Sequence, residues 1–571
     1  MAHSHVSPLR GLTAKDIDSA DDASQISLNS EEQSPNKRRR LSKKLHVAVA
    51  GCSHGEMDKI YASLAEIERI HGFKFDLLIS CGDYQVRNYG DLMHMHVNKK
   101  YRNLQTFYRY YSGEMTAPVL TVFVGGNHEA SGFLQELPNG GWVAPRIFYM
   151  GHANVVQFAG LRIAGLSGIF NKLHYDTGHW ERPPFHECGG VVSAYHVRSV
   201  DVFRLKQLRP KIAAQRVDIM VSHDWPAGIT DYGDVEDLLK KKPFFKEDIE
   251  KNALGNPATM IAHRATGAFH MPADPCGGEI RPRYWLAAHL HCKFAALVPH
   301  QKDCQETTEP EPTRFLSLDK PLPRRHFIQA LEFDVDEGAE MKLSYDPVWL
   351  AILKATDSLT DATKRTTYMP SQCGSICGER WDYRPTEEEI NRVQRLFEGD
   401  FTIPANFRKT APPHDPSQIA ESEFYYRNPQ SSEFCAKLGI RDLNEMLCAQ
   451  SKESLGVPYF LSESEDDAKN MGESIKTSHS DTEKFDGDCD FVIDRGHRSC
   501  PIYLTDFNAP KLLDSGSKDE NEDEGNNGSD ESAEPVEAVV EGKEGERGRR
   551  KVGSGIFRRR PMGVVVDEES D

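Results

Sequence analysis

The run Val119-Leu120-Thr121-Val122-Phe123-Val124 is apolar and rich in β-branched residues, without the polar alternation of a half-wet strand. Such a run predicts a strand buried on both faces, as in a parallel sheet. Comparable runs recur at His46-Val47-Ala48-Val49-Ala50, Phe75-Asp76-Leu77-Leu78-Ile79, Leu161 to Leu166, Val217 to Val221 and Tyr284 to Ala288. Between the first two, Ile60, Leu64, Ile67 and Ile70 stand at helical spacing, and the stretch from Tyr101 to Tyr111 reads as a helix with a buried aromatic face. Strands alternating with helices predict an α/β fold. Trp349 to Leu353 and Thr386 to Ile390 read as helical pieces of a C-terminal accessory domain.

The residues just past these strands are the ones with chemistry. In an α/β sheet, ligands sit at the carboxyl ends of the strands. Here those ends carry Cys52-x-His54, Gly82-Asp83, Gly125-Gly126-Asn127-His128-Glu129, Ser222-His223-Asp224 and His289-x-His291. Taken singly, Cys52 reads as a small buried residue, Asn127 as a turn residue, and His223 or His289 as core histidines. Together they form a set of N, O and S donors converging from several strands, as a two-metal site requires. A carboxylate has two oxygens, which makes Asp83 the natural bridge between two ions. Such a pair, about 3.5–4 Å apart, clamps a phosphoryl oxygen and generates hydroxide near neutral pH.

Composition divides the chain. Hydrophobic residues make up only 38% and the formal net charge is −18, which predicts that part of the chain does not fold. The block from about residue 45 to 330 is roughly neutral, and the excess acid lies in the C-terminal third. Residues 1–44 and 451–571 are predicted to be disordered tails flanking a 45–330 catalytic domain and a 331–450 accessory domain. The Pro- and Gly-containing piece from His263 to Arg283 reads as a surface loop. Lys37-Arg38-Arg39-Arg40, with a second cluster around Arg558-Arg559-Arg560, fits either a nuclear-import signal or a solvated charge run. Met1-Ala2-His3-Ser4-His5 opens no apolar run of signal-peptide type, and no run approaches a membrane span. Twelve cysteines without a regular framework fit a reducing compartment, so a soluble intracellular protein with no membrane partner is expected.

The order of these strand-end motifs resembles that of the calcineurin-like metallophosphoesterases, whose pattern is Asp-x-His, Gly-Asp, Gly-Asn-His-Glu/Asp, His and Gly-His-x-His. Here Cys52 stands for the first Asp and Ala288 for the last Gly. The cysteine resembles one branch, the RNA lariat debranching enzymes. So do Gln105-Thr106-Phe107-Tyr108-Arg109-Tyr110-Tyr111-Ser112-Gly113, Gly140-Gly141-Trp142-Val143-Ala144-Pro145, Ser222-His223-Asp224-Trp225-Pro226, Arg380-Trp381-Asp382-Tyr383 and Asn428-Pro429-Gln430-x-x-Glu433-Phe434-Cys435. The resemblance runs from about Leu45 to Leu447 and implies an αββα metallophosphoesterase sandwich. It implies one ion held by Cys52, His54, Asp83 and His291, and a second held by Asp83, Asn127, His223 and His289. It implies branched intron RNA as substrate, action in the nucleus, and a 2′,5′-phosphodiesterase reaction with His128 as general acid. Family members work with Fe, Zn or Mn. A thiolate in place of a carboxylate is the softer donor and shifts preference toward Fe²⁺ or Zn²⁺, with Mn²⁺ as a substitute.

The family pattern Gly-Asp-Phe-Gln-x-x-Arg-Asn is one residue shorter here, at Gly82 to Asn88, and Arg87 is the candidate phosphate contact in it. The resemblance places the lariat-recognition loop at 170–210. There His174, Tyr175, His179, Tyr195, His196 and Arg198 interleave aromatics with cations, a composition that suits base stacking and also suits ordinary loop packing. Asp224 reads as a residue that orients a neighbouring imidazole. The tails are candidate docking segments for splicing or intron-turnover factors. Two other readings stay open: a metallophosphoesterase acting on a phosphoprotein or nucleotide, and a non-catalytic RNA-binding scaffold of the same fold.

Overall fold

The structure is a computed structural model, and it describes residues 42–451 and 459–460 apart from 184, 186–189, 209–215, 260–279, 301–309, 372–379 and 418–424. Both basic clusters, the acidic tail and most of the expected 263–283 loop lie outside the described residues. All that is described falls in one compact unit.

Strands β1 (Ser42–Ala50), β2 (Leu77–Ser80), β3 (Leu120–Phe123), β4 (Gly141–Ala144) and β5 (Ile147–Tyr149) come first in the chain. Then come β6 (Ala153–Phe158), β7 (Leu161–Leu166), β8 (Ile219–Ser222) and β9 (Tyr284–Ala287). Last are β10 (Phe294–Val298), β11 (Thr313–Ser317), β12 (Ile328–Asp336) and β13 (Leu343–Tyr345). They form a six-stranded sheet in the order β12-β1-β2-β3-β5-β4 and a seven-stranded sheet in the order β10-β11-β9-β8-β7-β6-β13.

The two-residue period of a strand explains how the sheets stack. Val47, Val49, Leu77, Ile79 and Val122 point to a core shared with Ile163, Ile219, Val221, Leu286 and Leu316 of the other sheet. Their chain neighbours Ala48, Leu78 and Phe123 pack outward with Ile60 and Leu64 of the helix Met57–His71. Met220, Trp285 and Phe315 pack outward on the opposite side with Trp349, Leu350 and Leu353 of the helix Pro347–Ala355. The layers are therefore helix, sheet, sheet, helix. Each fully buried Val, Leu or Ile contributes roughly 1.5–3 kcal/mol over leaving it exposed, so both faces of the central strands are stabilised.

Three sequence expectations change. The strand β1 begins at Ser42, inside the segment expected to be disordered, because β12 pairs with it from Ser42↔Asp336 to Ala50↔Ile328. The expected 330/331 domain boundary falls within β12, and β13 pairs with β6, so the C-terminal residues complete both sheets. The helix expected over Tyr101 to Tyr111 is confined to Phe107–Ser112 plus one 3-10 turn at Lys99–Tyr101, the chain turning extended at Arg102 and passing through Gln105 with φ 53°. Within Phe107–Ser112 the aromatics Phe107, Tyr110 and Tyr111 are buried as expected.

Candidate metal centre

Because β1, β2 and β3 are parallel, as are β7, β8 and β9, their carboxyl ends reach one edge of the sandwich. Cys52 and His54 follow β1, Asp83 follows β2, Asn127 follows β3, His223 follows β8, and His289 and His291 follow β9. The turns that aim them are tight. His54, Asp83, His289 and His291 all hold positive φ, between 46° and 62°, a conformation that costs a non-glycine residue about 1–3 kcal/mol and clusters at functional sites. Gly126 allows the closest approach: a Cβ there would stand 2.2 Å from Asp83 Oδ1.

Candidate ligand atoms of Cys52, His54, Asp83 and His291 all lie within 4.8 Å of one another. His54 Nε2 is 3.0 Å from His291 Nε2 and 3.5 Å from Asp83 Oδ2. The other oxygen, Asp83 Oδ1, is 3.5 Å from His223 Nε2, which lies 3.0 Å from Asn127 Oδ1. The His289 ring is centred 5.0 Å from that of His223, and its backbone N–H donates to Cys52 Sγ at 3.2 Å. The seven strand-end residues thus gather into two overlapping sets that share Asp83.

The electrostatics suit cations. Burial would raise the Asp83 carboxyl, but the His223, His128 and His54 imidazoles and the His128 N–H at 2.9 Å hold it well below its ordinary range. Burial holds His54 down to about 4 and His289 to about 3, and depresses His223 and His291 as well. Neutral imidazoles keep the lone pair that a metal ion needs. Burial, then the Asp83 charge, pushes the Cys52 thiol up; a bound cation has the opposite effect on a thiol. A thiol, four neutral imidazoles, an amide oxygen and one ionised carboxylate make a donor set that fits two divalent ions.

Several contacts that support the site appear only with the fold. His223 Nδ1 donates to the Cys81 carbonyl at 2.7 Å, which directs Nε2 inward. Asp224, expected to orient an imidazole, instead accepts from Phe170 N and Trp225 N, and burial pushes its carboxyl up to about 6. Trp225, fully buried, donates from Nε1 to the Ala288 carbonyl at 2.8 Å and so braces the strand end before His289. Glu129 accepts from the backbone of Tyr84, Gln85 and Gly126 at 2.8, 2.7 and 2.9 Å, pinning the Asp83 and Asn127 turns together. His128, partly exposed, has its ring centred 5.4 Å from that of His54.

The expected substrate residues separate into two groups. Arg87 is 2% exposed and bonds Asp91 Oδ1 and Oδ2, Glu136 Oε1 and Thr410 Oγ1 at 2.8–2.9 Å. Four of its five guanidinium N–H groups are engaged, three of them by buried carboxylates, so the expected phosphate contact is corrected to a structural one. The same holds for Arg198, buried against Glu181 and three backbone carbonyls, and for His179, whose Nε2 lies 2.8 Å from Asp201 and whose ring stacks on His152. Tyr175 packs against the core of the second sheet. The others meet in pairs: half-buried His174 meets buried His196 through their Nδ1 atoms at 2.7 Å, and half-buried Tyr195 meets exposed His96, Oη to Nδ1, at 2.8 Å.

Comparison with known proteins agrees with this geometry. The family model described as calcineurin-like phosphoesterase matches residues 45–293, and that of the lariat debranching enzyme C-terminal domain matches residues 310–443. The chain is 54% identical over 468 residues to a lariat debranching enzyme of Caenorhabditis briggsae, covering 80% of this chain and 86% of the relative. To that of Caenorhabditis elegans it is 54% identical over 469 residues, covering 80% and 88%. To that of Homo sapiens it is 47% identical over 445 residues, covering 77% of each.

Proposed function

The chain belongs to the lariat debranching enzymes, and we propose how its side chains share the hydrolysis of the 2′,5′-phosphodiester bond at the branch of an excised intron. The observation that carries this division of labour is the convergence of Cys52, His54, Asp83 and His291 within 4.8 Å, beside a partly exposed His128. One ion is assigned to those four residues, and a second to Asp83, Asn127, His223 and His289. When bound, the two ions lower the pKa of water and neutralise charge on the phosphoryl oxygens.

The protein's own part is orientation and proton transfer. Asp83 presents one oxygen to each set, and its carboxylate form is favoured by the surrounding imidazoles. The Cys81 carbonyl fixes the ring of His223. His128 gives its proton to the departing 2′ oxygen as the bond from that oxygen to phosphorus breaks. A water oxygen ends on phosphorus, so the products are a linear RNA with a 5′ phosphate and a free 2′ hydroxyl at the branch. His174 and Tyr195 are assigned to contacts with the branch nucleotides, with buried His196 behind His174, supported by their grouping near His96.

The thiol at Cys52 supports Fe²⁺ or Zn²⁺ as resident ions, with Mn²⁺ as a substitute. Nuclear action is supported by the substrate class and by Lys37-Arg38-Arg39-Arg40, and the tails are the docking segments assigned to intron-turnover factors. Among the described residues no helix is long and apolar enough to cross a membrane. Cleavage assays with a synthetic branched RNA, a phosphopeptide and a cyclic nucleotide test the reading. Turnover of the branched RNA in strong preference to the other two is expected; equal or better turnover of either competitor overturns it.

A further inference from the structure

The loop after β11 lies against the metal centre and carries charge that the chemistry above does not use. The strand β11 runs parallel to β9 with Ser317 opposite Ala287, and Leu318 N donates to the Ala287 carbonyl at 3.1 Å. The chain beyond therefore travels beside Ala288 and His289. It touches the other sheet too: a Cβ on Gly51 would stand 2.1 Å from the Asp319 carbonyl, directly before Cys52. Lys320 is the residue directly after that carbonyl, and it is half-buried.

Outward from Lys320 the surface stays positive. Arg324, Arg325 and His326 are exposed. The single carboxylate in that loop, Asp319, is buried and already engaged by Lys320 N at 2.8 Å and Arg325 Nη1 at 3.4 Å. Lys293 precedes β10, whose Phe294 pairs with Ser317, so it stands at the foot of the loop. Gly233 bridges to Ala296, and a Cβ on it would meet the Phe294 ring at 2.3 Å. That contact brings the helix Val235–Lys241 alongside β10, with its acids in the first turn and its lysines in the last. Lys242 follows, 5.7 Å from the ring centre of Phe244, which is 53% exposed.

We propose that Lys320, Arg324, Lys293 and Lys242 form a cationic band that carries the phosphodiester backbone of one unpaired RNA arm away from the scissile bond, with Phe244 as a base-stacking platform at its outer end. This inference rests on the debranching reading and names where a long substrate lies. Cations that track the backbone beside an exposed aromatic ring are the arrangement that binds single strands without regard to sequence. The band begins at Lys320, in the loop that leaves β11 beside the strand end before His289, and an arm attached to the branch enters it from that end.

The test uses the full-length, metal-loaded enzyme and two branched RNAs, one with arms of about two nucleotides and one with arms of about twelve. In the native protein the long-armed RNA has the lower KM. In the triple variant Lys242→Gln, Lys293→Gln, Arg324→Gln the KM of the long-armed RNA rises about tenfold toward that of the short one. Its log KM against log salt slope falls by about 2, from three phosphate contacts at roughly 0.7 each. A charge-matched control, Lys44→Gln, Arg69→Gln, Lys74→Gln, changes cations near the opposite edge of β1 and β2 and keeps the native arm-length dependence. Equal effects of the two triples, or no arm-length dependence in the native protein, overturn the band. Failure of the native protein to cut either RNA overturns the debranching reading instead.

Discussion

Replacing Arg87 by methionine tests whether this buried cation serves the fold or the substrate. The guanidinium binds Asp91 through two nitrogens at 2.9 Å each, and Glu136 and Thr410 through the third at 2.8 and 2.9 Å. It also lies 3.8 Å from the ring centre of Phe133. Asp91 and Glu136 are 1% and 0% exposed, so Arg87→Met strands two buried carboxylates that water does not reach. Breaking a buried pair from one side costs about 3–5 kcal/mol, much of it the desolvation of the charge left behind. A loss of that size is expected in the denaturant midpoint of the metal-loaded protein. Adding Asp91→Asn and Glu136→Gln to Arg87→Met removes the stranded charges and is expected to restore a substantial part of the loss, whereas Arg87→Met alone leaves KM for branched RNA within about twofold. An unchanged midpoint together with a tenfold higher KM would refute the structural assignment and return Arg87 to the phosphate.

His128→Ala is expected to lower kcat by about 10²–10⁴ with metal content unchanged, as removal of a general acid does; a loss of bound metal would instead mark it as a ligand. Cys52→Asp is expected to shift selectivity from Fe²⁺ and Zn²⁺ toward harder ions, read by competition binding; unchanged selectivity sinks the softness argument. Burial opposes ionisation of Asp201, yet His179 holds its carboxyl at about 2 against an ordinary 3.8. A depressed carboxylate contributes stability that is complete above about pH 4 and lost as pH falls through 2, here about 2 kcal/mol. The stability difference between the native protein and Asp201→Asn should therefore shrink between pH 5 and pH 2, and a pH-independent difference would contradict the pairing.

Strand interiors and strand ends were legible because both are local. The bounds of β7 are legible to the residue, and those of β1, β2, β3, β8 and β9 to within a few positions, from apolar β-branched runs closed by a glycine or a polar ligand; β4 to β6 and β10 to β13 were not singled out. Pairing across long separations was not. Nothing in the run Ile328–Asp336 announces that it joins β1 some 280 residues earlier, which is why the N-terminal boundary and the 330/331 division moved. The same blindness misassigned Arg87, Arg198 and His179. Arginine and histidine in a polar loop look alike whether they face water or a buried carboxylate, and the partners Glu136, Glu181 and Asp201 could not be placed without the fold. Glu129 did carry a signal, in its place directly after Asn127-His128, and its role becomes plain once that turn meets Tyr84 and Gln85.

Metal content per chain, measured by elemental mass spectrometry on protein purified without oxygen, tests the shared carboxylate most directly. Two divalent ions per chain are predicted for the native protein and a loss of both for Asp83→Ala. A native content of one or none, or two ions retained after Asp83 is replaced, would contradict the account.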